Sequence, residues 1–417
     1  MLEKHHQILI IGGGAAGITV AASLMLHSEG KQLDIAIIDP AQTHYYQPEF
    51  TLVGGGCVSL DKTQRPMSDV IPKGTSWIQQ AASHIDPDAQ QVELSNGDKI
   101  SFDYLVVCPG LVLNWDAIEG VKQTLGKNGV CSNYSPEFVE YTWQSIQNLK
   151  AGDKAYFTQA PLPFKCPGAP QKIAYLAADH LRRKGILDSC DVHFASPAPG
   201  MFGVPYFAKA LVKVADGYGI HKDLLHKLIK VDGDAKKATF EIVDGEHKGD
   251  IKEVDFDMLH VTPHQTPPDF LHGSAVSNEA GYVDVHKHTL QHVKYPNIFA
   301  LGDAGSTPNS KTAAAVRKQA PTVVQNIKNL MDGQELEESY DGYASCPLVT
   351  ARGKVIMAEF IYGGKVTPSL PFLAEPNAES NIMWHVKATG LPLFYWNYML
   401  KGYEKFIEPK QDFDTGE

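Results

Sequence analysis

The sequence predicts an α/β protein with two Rossmann-like domains and a C-terminal helical segment. A glycine-rich turn separates an apolar strand from an apolar helix near the N-terminus. A second strand–helix–strand unit, without such glycines, lies in the middle of the chain. Strands that alternate with helices are typical of a parallel sheet covered by helices.

The composition describes a folded chain of 417 residues, a length typical of roughly two to three domains. Its 48 acidic and 37 basic side chains give a net charge of −11, which argues against nucleic acid as the main partner.

No apolar run is long enough to span a bilayer. The first strand ends in glycines rather than in a cleavage site, so no secretory signal is predicted. The histidines show no zinc-ligand spacing, and no metal site is predicted.

The glycine-rich turn spans residues 12–17. Gly12 permits a tight turn, Gly14 lets a pyrophosphate approach the backbone, and Gly17 allows close packing of the helix on the strand. The N-terminus of the following helix then holds the phosphates. The turn therefore predicts a phosphate-binding site.

An acidic residue ends the next predicted strand, residues 34–38. Asp39 lies where a carboxylate accepts hydrogen bonds from a ribose 2′-hydroxyl. Strand, turn, helix, strand and acid follow one another in the order that dinucleotide binding requires. The alternative is a glycine-rich turn in some other α/β protein.

A second cofactor signal lies near residue 300, where a short apolar strand ends in Gly302-Asp303 and a helix start follows at residues 310–315. This pair resembles the second flavin-contacting segment of flavoproteins that have two dinucleotide-binding domains. The resemblance implies FAD as the cofactor, with Asp303 on its ribityl chain. It also implies a discontinuous FAD-binding domain made of residues 1–110 and 265–335.

The middle of the chain, residues 111–264, keeps the strand–helix–strand frame of a second Rossmann-like domain. Its turn at residues 159–172 contains four prolines and Phe164 in place of glycines. Proline is stiff and lacks an N–H group, so this turn cannot wrap a pyrophosphate. The domain is therefore predicted to lack an NAD(P) site, and it carries Cys166 instead.

Three of the six cysteines precede a proline, and two of these, Cys166 and Cys346, are predicted to lie in polar turns. Cys166 follows Lys165 and precedes a helix, and a nearby cation and a helix N-terminus both favour a thiolate. Cys346 also precedes a proline, before an apolar strand. The sequence does not fix the distance between them. If the fold brings them together beside the flavin, they form a redox dithiol; the alternative is two inert apolar residues.

Five strings of sequence carry a resemblance to a known family: residues 165–172, 259–263, 310–315, 345–350 and 394–397. They resemble those of the sulfide:quinone oxidoreductases, in the branch that includes the mitochondrial enzymes. The resemblance extends over nearly the whole chain, from the glycine turn to about residue 403.

The resemblance implies that Cys166 and Cys346 are the redox pair that takes up sulfide sulfur. Hydrosulfide attacks one cysteine and leaves a persulfide there, while the other, as a thiolate, forms a charge-transfer adduct with the flavin. Cys346 is assigned to the flavin side and Cys166 to persulfide transfer. Electrons then pass to a quinone, expected to be of the ubiquinone type, and the sulfur leaves to a small thiol or sulfite.

The resemblance and the two cofactor signals together give the expected FAD contacts. These are Gly12, Gly14, Ala15, Ala16, Gly17, Asp39, Gln47, Ala82, Gly302, Asp303, Lys311, Thr312, Ala313 and Ala314. Cys131 lies close to where another branch of the family keeps a third catalytic cysteine, and it stays a third candidate. The remaining cysteines, Cys57, Cys108 and Cys190, are expected to be packing residues.

The C-terminal region, residues 336–417, carries Cys346 and an aromatic-rich stretch flanked by Lys387 and Lys401. Helical periodicity places five side chains on one stripe: Leu393, Trp396, Leu400, Tyr403 and Ile407. Aromatic residues with flanking lysines suit a helix that lies in the headgroup layer. Phe394, Tyr395 and Trp396 are therefore predicted to contact quinone or membrane; the alternative is a helix of the core or of a dimer.

The predicted protein is a peripheral (monotopic) membrane flavoenzyme of a bacterial inner membrane or its mitochondrial equivalent, and a homo-oligomer stays open. Three other functions compete with this one. A type II NADH dehydrogenase would need the glycines missing from residues 159–172. A flavin-bearing binding protein would not need two Cys-Pro turns. A flavocytochrome sulfide dehydrogenase subunit would carry an export signal.

Overall fold

The computed structural model describes residues 4–28, 30, 32–404, 409 and 413–415. The strands are β1 Lys4–Ile11, β2 Ile35–Ile38, β3 Thr43–Tyr45, β4 Gln64–Pro66, β5 Ser76–Ile78, β6 Ala82–Asp86, β7 Gln91–Leu94, β8 Lys99–Val107, β9 Val112–Asn114, β10 Val130–Cys131, β11 Lys154–Thr158, β12 Asp191–Ser196, β13 His221–Leu224, β14 His226–Asp232, β15 Lys237–Ile242, β16 Ile251–Asp255, β17 Met258–His260, β18 His264–Thr266, β19 Ile298–Ala300, β20 Ala344–Ala351 and β21 Lys354–Phe360. The α-helices are α1 Ala15–Leu26, α2 Phe50–Gly54, α3 Met67–Val70, α4 Val121–Thr124, α5 Val139–Asn148, α6 Ala169–Lys184, α7 Pro205–Tyr218, α8 Ala313–Met331, α9 Asn381–His385 and α10 Leu391–Asn397.

The first sheet has the strand order β5-β2-β1-β8-β7-β6, and β19 also pairs with β8. The pairs of β1 with β2 and β8, of β2 with β5, and of β8 with β19 are parallel. Residues 8–11 of β1 are all buried, as expected for a central strand with helices on its faces. Because β19 joins β8, the chain returns to this sheet after the second domain.

The second sheet is parallel, with the order β10-β17-β11-β12-β13. Helix α6 connects β11 to β12, and its first three turns are almost entirely buried. The antiparallel strands β14-β15-β16 form a separate small sheet. The two passages between the domains meet where β9 pairs with β18. The predicted α/β architecture with two Rossmann-like sheets is confirmed.

The C-terminal region begins with the hairpin β20–β21, which packs against α6. Helix α9 continues through a π-helical turn, Val386–Gly390, into α10. The chain then turns at Tyr398 and again at Gly402, which has a φ of +83°. Among the residues that the structure describes, none of the helices combines the length and apolar character that crossing a bilayer requires.

The predicted apolar stripe of the C-terminal helix is wrong. Leu393 is 56% exposed, whereas Leu400 is buried. A period of 3.6 residues aligns side chains only along a continuous α-helix, and the break at Tyr398 ends that alignment. Ile407, the last residue of the predicted stripe, lies outside the described residues.

Candidate active site

Cys166 lies in the turn between β11 and α6, where residues from three other parts of the chain hold its backbone. Its N–H donates a 2.9 Å hydrogen bond to the Lys311 carbonyl, just ahead of α8. Its carbonyl accepts a 3.2 Å hydrogen bond from the Tyr134 hydroxyl. The N–H of the preceding Lys165 donates to Gln265 Oε1 at 3.0 Å. These bonds fix the cysteine at the junction of the two sheets.

Cys346 reaches the same place from β20, and its thiol donates a hydrogen bond to the Cys166 sulfur. Gly168 makes the approach possible, because a Cβ at that position would lie 2.5 Å from Cys346 Sγ. Both cysteines are free thiols. The two cysteines, far apart in sequence, therefore meet in the fold. The expectation that Cys346 lies in a turn before a strand is wrong, because Cys346 and Pro347 belong to β20 itself.

A buried lysine sets the charge of this pair. Lys172, 2% exposed in α6, places Nζ 3.1 Å from Cys166 Sγ. The hydrogen bond from Cys346 and the positive charges of Lys172 and Lys387 hold the pKa of Cys166 well below its usual range, against its burial. The same sulfur–sulfur hydrogen bond, together with burial, raises the pKa of Cys346. The reduced pair is therefore a Cys166 thiolate beside a Cys346 thiol.

Lys172 itself stays protonated. Burial acts to lower the pKa of Lys172, but the charges of both cysteines and hydrogen bonds to both sulfurs outweigh burial and raise it. Sequence reasoning looked to Lys165 for the cation and missed Lys172. The sequence signal that could have indicated Lys172 is its place in the first turn of α6, on a helix face that is otherwise apolar.

Lys387 is a second buried cation at the site, contributed by the π-helical turn after α9. It is 2% exposed, and its Nζ donates a 2.9 Å hydrogen bond to the Pro48 carbonyl. Burial and the charge of Lys172 lower the pKa of Lys387 to about 8, although buried Glu49 opposes this. The expectation that Lys387 lies in a lipid headgroup layer is wrong, because the irregular turn points its side chain into the protein.

The glycine turn forms a cradle in front of α1. A Cβ on Gly12, whose φ is +106°, would lie 2.4 Å from the Cys108 carbonyl oxygen. A Cβ on Gly17 would lie 1.9 Å from the Gly12 carbonyl oxygen, so both positions require glycine. Gly14 faces open space, with no atom within 4 Å of a Cβ built there. The first turn of α1, starting at Ala15, has no side-chain cap and no acidic residue, which leaves its N–H groups for an anion.

Asp39 lies beside this cradle at the end of β2. Its Oδ2 accepts a 2.6 Å hydrogen bond from the Gly13 N–H, and its Oδ1 accepts one from Ala41. A cavity of about 650 Å³ opens next to it, lined on the other side by Ala82 and Phe270. This cavity suits the adenosine end of a dinucleotide.

The second cofactor segment meets the first. A Cβ on Gly302 would lie 3.6 Å from that of Ala16. Lys311 is buried beside Asp303, and burial lowers the pKa of Lys311 to about 8 while Asp303 acts to raise it. Thr312 caps α8 by accepting a hydrogen bond from the Ala315 N–H.

The remaining predicted contacts surround the same space. Ala313 and Ala314 form the first turn of α8, and Gln47 is exposed in the short turn before α2. The site combines the N-termini of α1 and α8, a glycine turn with open space at Gly14, and a cavity that ends at Asp39. Together these features fit FAD.

Four other predicted site residues are Cys131, Phe394, Tyr395 and Trp396. Burial raises the pKa of Cys131 to about 12, although hydrogen bonds with Thr142 and Ser145 oppose this. Tyr395 is 3% exposed, so it does not reach a membrane surface. Phe394 and Trp396 are half-buried. Within the described residues, no group of three or more His, Cys, Asp or Glu side chains is placed to hold a metal ion.

Comparisons with known proteins identify the family of this chain. A model of the pyridine nucleotide-disulphide oxidoreductase family matches residues 6–137. A mitochondrial sulfide:quinone oxidoreductase of Dictyostelium discoideum is 43% identical over 402 residues, which cover 96% of this chain and 87% of that protein. The mitochondrial enzyme of Mus musculus is 39% identical over 401 residues, covering 96% and 88%.

The solved sulfide:quinone oxidoreductase of Aquifex aeolicus superposes with a TM-score of 0.73, at 21% identity, over 96% of this chain and 92% of that one. At that identity it supports the fold alone. The sequence relatives and the matching family model confirm an oxidoreductase with FAD as its cofactor. The chain belongs to the sulfide:quinone oxidoreductase family.

Proposed function

We propose that this protein oxidises sulfide to sulfane sulfur at Cys166 and Cys346 and passes the electrons through FAD to a membrane quinone. The observation that carries the proposal is the approach of Cys346 to Cys166, with Lys172 Nζ 3.1 Å from Cys166 Sγ; both neighbours lower the pKa of Cys166. A low thiol pKa is the property that a redox-active, sulfur-exchanging cysteine needs.

The cycle starts from a disulfide between Cys166 and Cys346. Hydrosulfide attacks Cys166 Sγ, the bond between the two cysteine sulfurs breaks, and Cys346 leaves as a thiolate that carries the electron pair. Cys166 then holds a persulfide. Lys172 hydrogen-bonds both sulfurs, so it stabilises negative charge on either one.

The second half of the cycle removes the sulfur and the electrons. A small thiolate or sulfite takes the outer sulfur from Cys166, which is left as a thiolate. When bound, FAD supplies the two-electron acceptor for the cysteine pair and the two-electron donor for the quinone. Loss of two electrons joins Cys166 and Cys346 again as a disulfide. In this proposal, Cys346 is assigned to the flavin side and Cys166 to persulfide transfer.

The buried cations support an anionic substrate. Hydrosulfide, sulfite and thiolates all carry negative charge. The positive charges of Lys172 and Lys387 act on the Cys166 sulfur, which these anions must reach. In a protein whose net charge is −11, such a local positive field attracts small anions to one place.

FAD is held, in this proposal, by a domain made of residues 1–110 and 265–335. The first boundary lies just before β9 and the second lies within β18, the two paired strands by which the chain crosses between the sheets. Residues 111–264 form the second domain, and residues 336–417 the C-terminal region. The glycine cradle takes the pyrophosphate, and Asp39 takes the ribose hydroxyls.

The electron acceptor in this proposal is a ubiquinone-type quinone of a bacterial or mitochondrial inner membrane, with the protein bound peripherally. Three exposed apolar side chains of the C-terminal region support membrane contact: Leu393, Tyr398 and Tyr403. Phe394 stacks on Tyr398, with ring centroids 6.0 Å apart. Half-buried Phe394 and Trp396 then lie between that surface and the interior, where a quinone would enter.

Anaerobic titration of the purified flavoprotein tests the proposal. Sulfide should bleach the flavin absorbance, and a ubiquinone analogue added afterwards should restore it. NADH should leave the flavin oxidised, because Phe164 and prolines occupy the turn where a nicotinamide dinucleotide would need glycines. If NADH but not sulfide bleached the flavin, sulfide would not be the electron donor and the proposal would be wrong.

A further inference from the structure

Residues 391–404, here called the C-terminal segment, pack across the first domain. Tyr395 in this segment is buried. Gly402 lies so close to α1 that a Cβ there would come within 2.8 Å of the helix backbone. Ser23 Oγ, also in α1, donates a 3.1 Å hydrogen bond to Glu404. The segment is thus anchored to the helix whose N-terminus faces the phosphate site.

A chain of two hydrogen bonds continues from this segment to the glycine turn. Tyr395 Oη lies 2.6 Å from His44 Nε2, and His44 Nδ1 lies 3.1 Å from the Gly13 carbonyl oxygen. A carbonyl oxygen only accepts, so the proton of His44 is on Nδ1. Nε2 must then accept from the Tyr395 hydroxyl. Burial lowers the pKa of His44 to about 4, so the imidazole stays neutral and the chain keeps this one direction.

The chain fixes a peptide of the phosphate cradle. The carbonyl of Gly13 and the N–H of Gly14 belong to one planar trans peptide and point in opposite directions. With the Gly13 oxygen held towards His44, the Gly14 N–H points away from His44. The preceding peptide is held as well, because the Gly13 N–H donates to Asp39. Glycine has no side chain to hold its own backbone in place, so these outside bonds set its conformation.

We propose that the Tyr395–His44–Gly13 chain couples docking of the C-terminal segment to the shape of the phosphate cradle, so that FAD binds tightly only while the segment is docked. His44 and Tyr395 are positioning residues in this scheme. The coupling would let contact of the segment with a membrane change how firmly the cofactor is held. It does not depend on the sulfur chemistry at Cys166 and Cys346.

Titration of the apoprotein with FAD, followed by flavin fluorescence, tests the first half of the coupling. Tyr395→Phe keeps the buried ring and removes only the hydroxyl, and it should raise the Kd for FAD roughly fivefold to tenfold, the usual effect of losing one buried hydrogen bond. His44→Asn should have a similar effect, since its amide nitrogen still reaches the Gly13 oxygen but the link to Tyr395 is lost. The double variant should bind FAD no more weakly than the weaker single variant, because both break one chain.

A matched control distinguishes the expected effect on FAD binding from a general loss of stability. Tyr362→Phe also removes one tyrosine hydrogen bond, to the Lys287 carbonyl, which is not part of the Tyr395–His44–Gly13 chain. It should leave the Kd for FAD unchanged. A Kd for Tyr395→Phe within twofold of the wild type would overturn the proposal, even if the melting temperature falls.

Coupling between two sites is reciprocal, which gives a second test on the unaltered protein. FAD should slow hydrogen exchange of backbone amides in residues 391–404 relative to the apoprotein. In Tyr395→Phe the slowing should be smaller, whereas Tyr362→Phe should behave like the wild type. Equal exchange of the segment with and without FAD in the wild type would also overturn the proposal.

Discussion

Lys172 Nζ lies 3.1 Å from Cys166 Sγ at the junction of the two domains, where Lys172 is buried and Cys166 is half-buried. A buried ammonium is stable only if a partner beside it carries negative charge. The hydrogen bond from Cys346 and the positive charge of Lys172 together hold the pKa of Cys166 below its usual range, so Cys166 is the thiolate of the reduced dithiol.

Lys172→Met should raise the pKa of Cys166, because it removes a positive charge and a hydrogen bond that stabilise the thiolate. In the reduced protein, the rate of alkylation of Cys166 by iodoacetamide should then rise at higher pH than in the wild type. Mass spectrometry of the labelled peptide measures this profile. Lys172→Arg keeps the charge and should shift the profile much less. Identical profiles for the Lys172→Met variant and the wild type would refute the assignment of Lys172.

Replacing either cysteine of the pair should stop turnover. Cys166→Ser and Cys346→Ser should each abolish sulfide-dependent quinone reduction while FAD stays bound, since neither sulfur lies in the glycine cradle. Cys190→Ser is the control, because Cys190 lies outside the site beside Lys150 and should leave the rate unchanged. Near-normal activity in either of the first two variants would rule out the cysteine mechanism.

Two glycines of one turn should respond differently to alanine. Gly17→Ala places a Cβ 1.9 Å from a backbone oxygen, so it should destabilise the whole domain and yield little soluble protein. Gly14→Ala meets no protein atom, and its φ of −76° suits alanine. It should leave the melting temperature of the apoprotein unchanged but weaken FAD binding, because the methyl group enters the cofactor space. Apoprotein melting and FAD titration, measured side by side, check both expectations.

The parts of the fold that sequence predicts well are those that depend on neighbours along the chain. The strand predicted over residues 34–38 is present as Ile35–Ile38, and a strand and a helix flank the glycine turn as predicted, because these patterns are local. The burial of Lys172 and Lys387 was not predicted, because a buried lysine depends on partners that distant elements contribute. The break in the C-terminal helix was not predicted, because helical periodicity shows which residues would share one face of a helix but not whether the helix continues.

Membrane contact should depend on the exposed apolar side chains rather than on the whole C-terminal region. Deleting residues from 381 onward would also remove buried Met399 and Leu400 from the core of the first domain, so point variants test the idea more cleanly. Leu393→Glu and Tyr398→Glu should each reduce co-sedimentation with liposomes of inner-membrane composition. Ile251→Glu, at an equally exposed apolar residue on the second domain, should not. Equal loss in all three variants would point to a general effect of charge.

Cys131 is the remaining candidate for a third catalytic cysteine, and its surroundings argue that it is a spectator. It is fully buried in β10, and a thiol whose pKa is about 12 carries almost no nucleophilic thiolate near neutral pH. Cys131→Ala should therefore keep most of the sulfide:quinone activity and lose only about 1 kcal/mol of stability, the usual effect of removing a small buried group. Steady-state rates and urea unfolding of the same preparation measure both quantities. A loss of activity of about a hundredfold or more, with unfolding unchanged, would instead make Cys131 a participant in sulfur transfer.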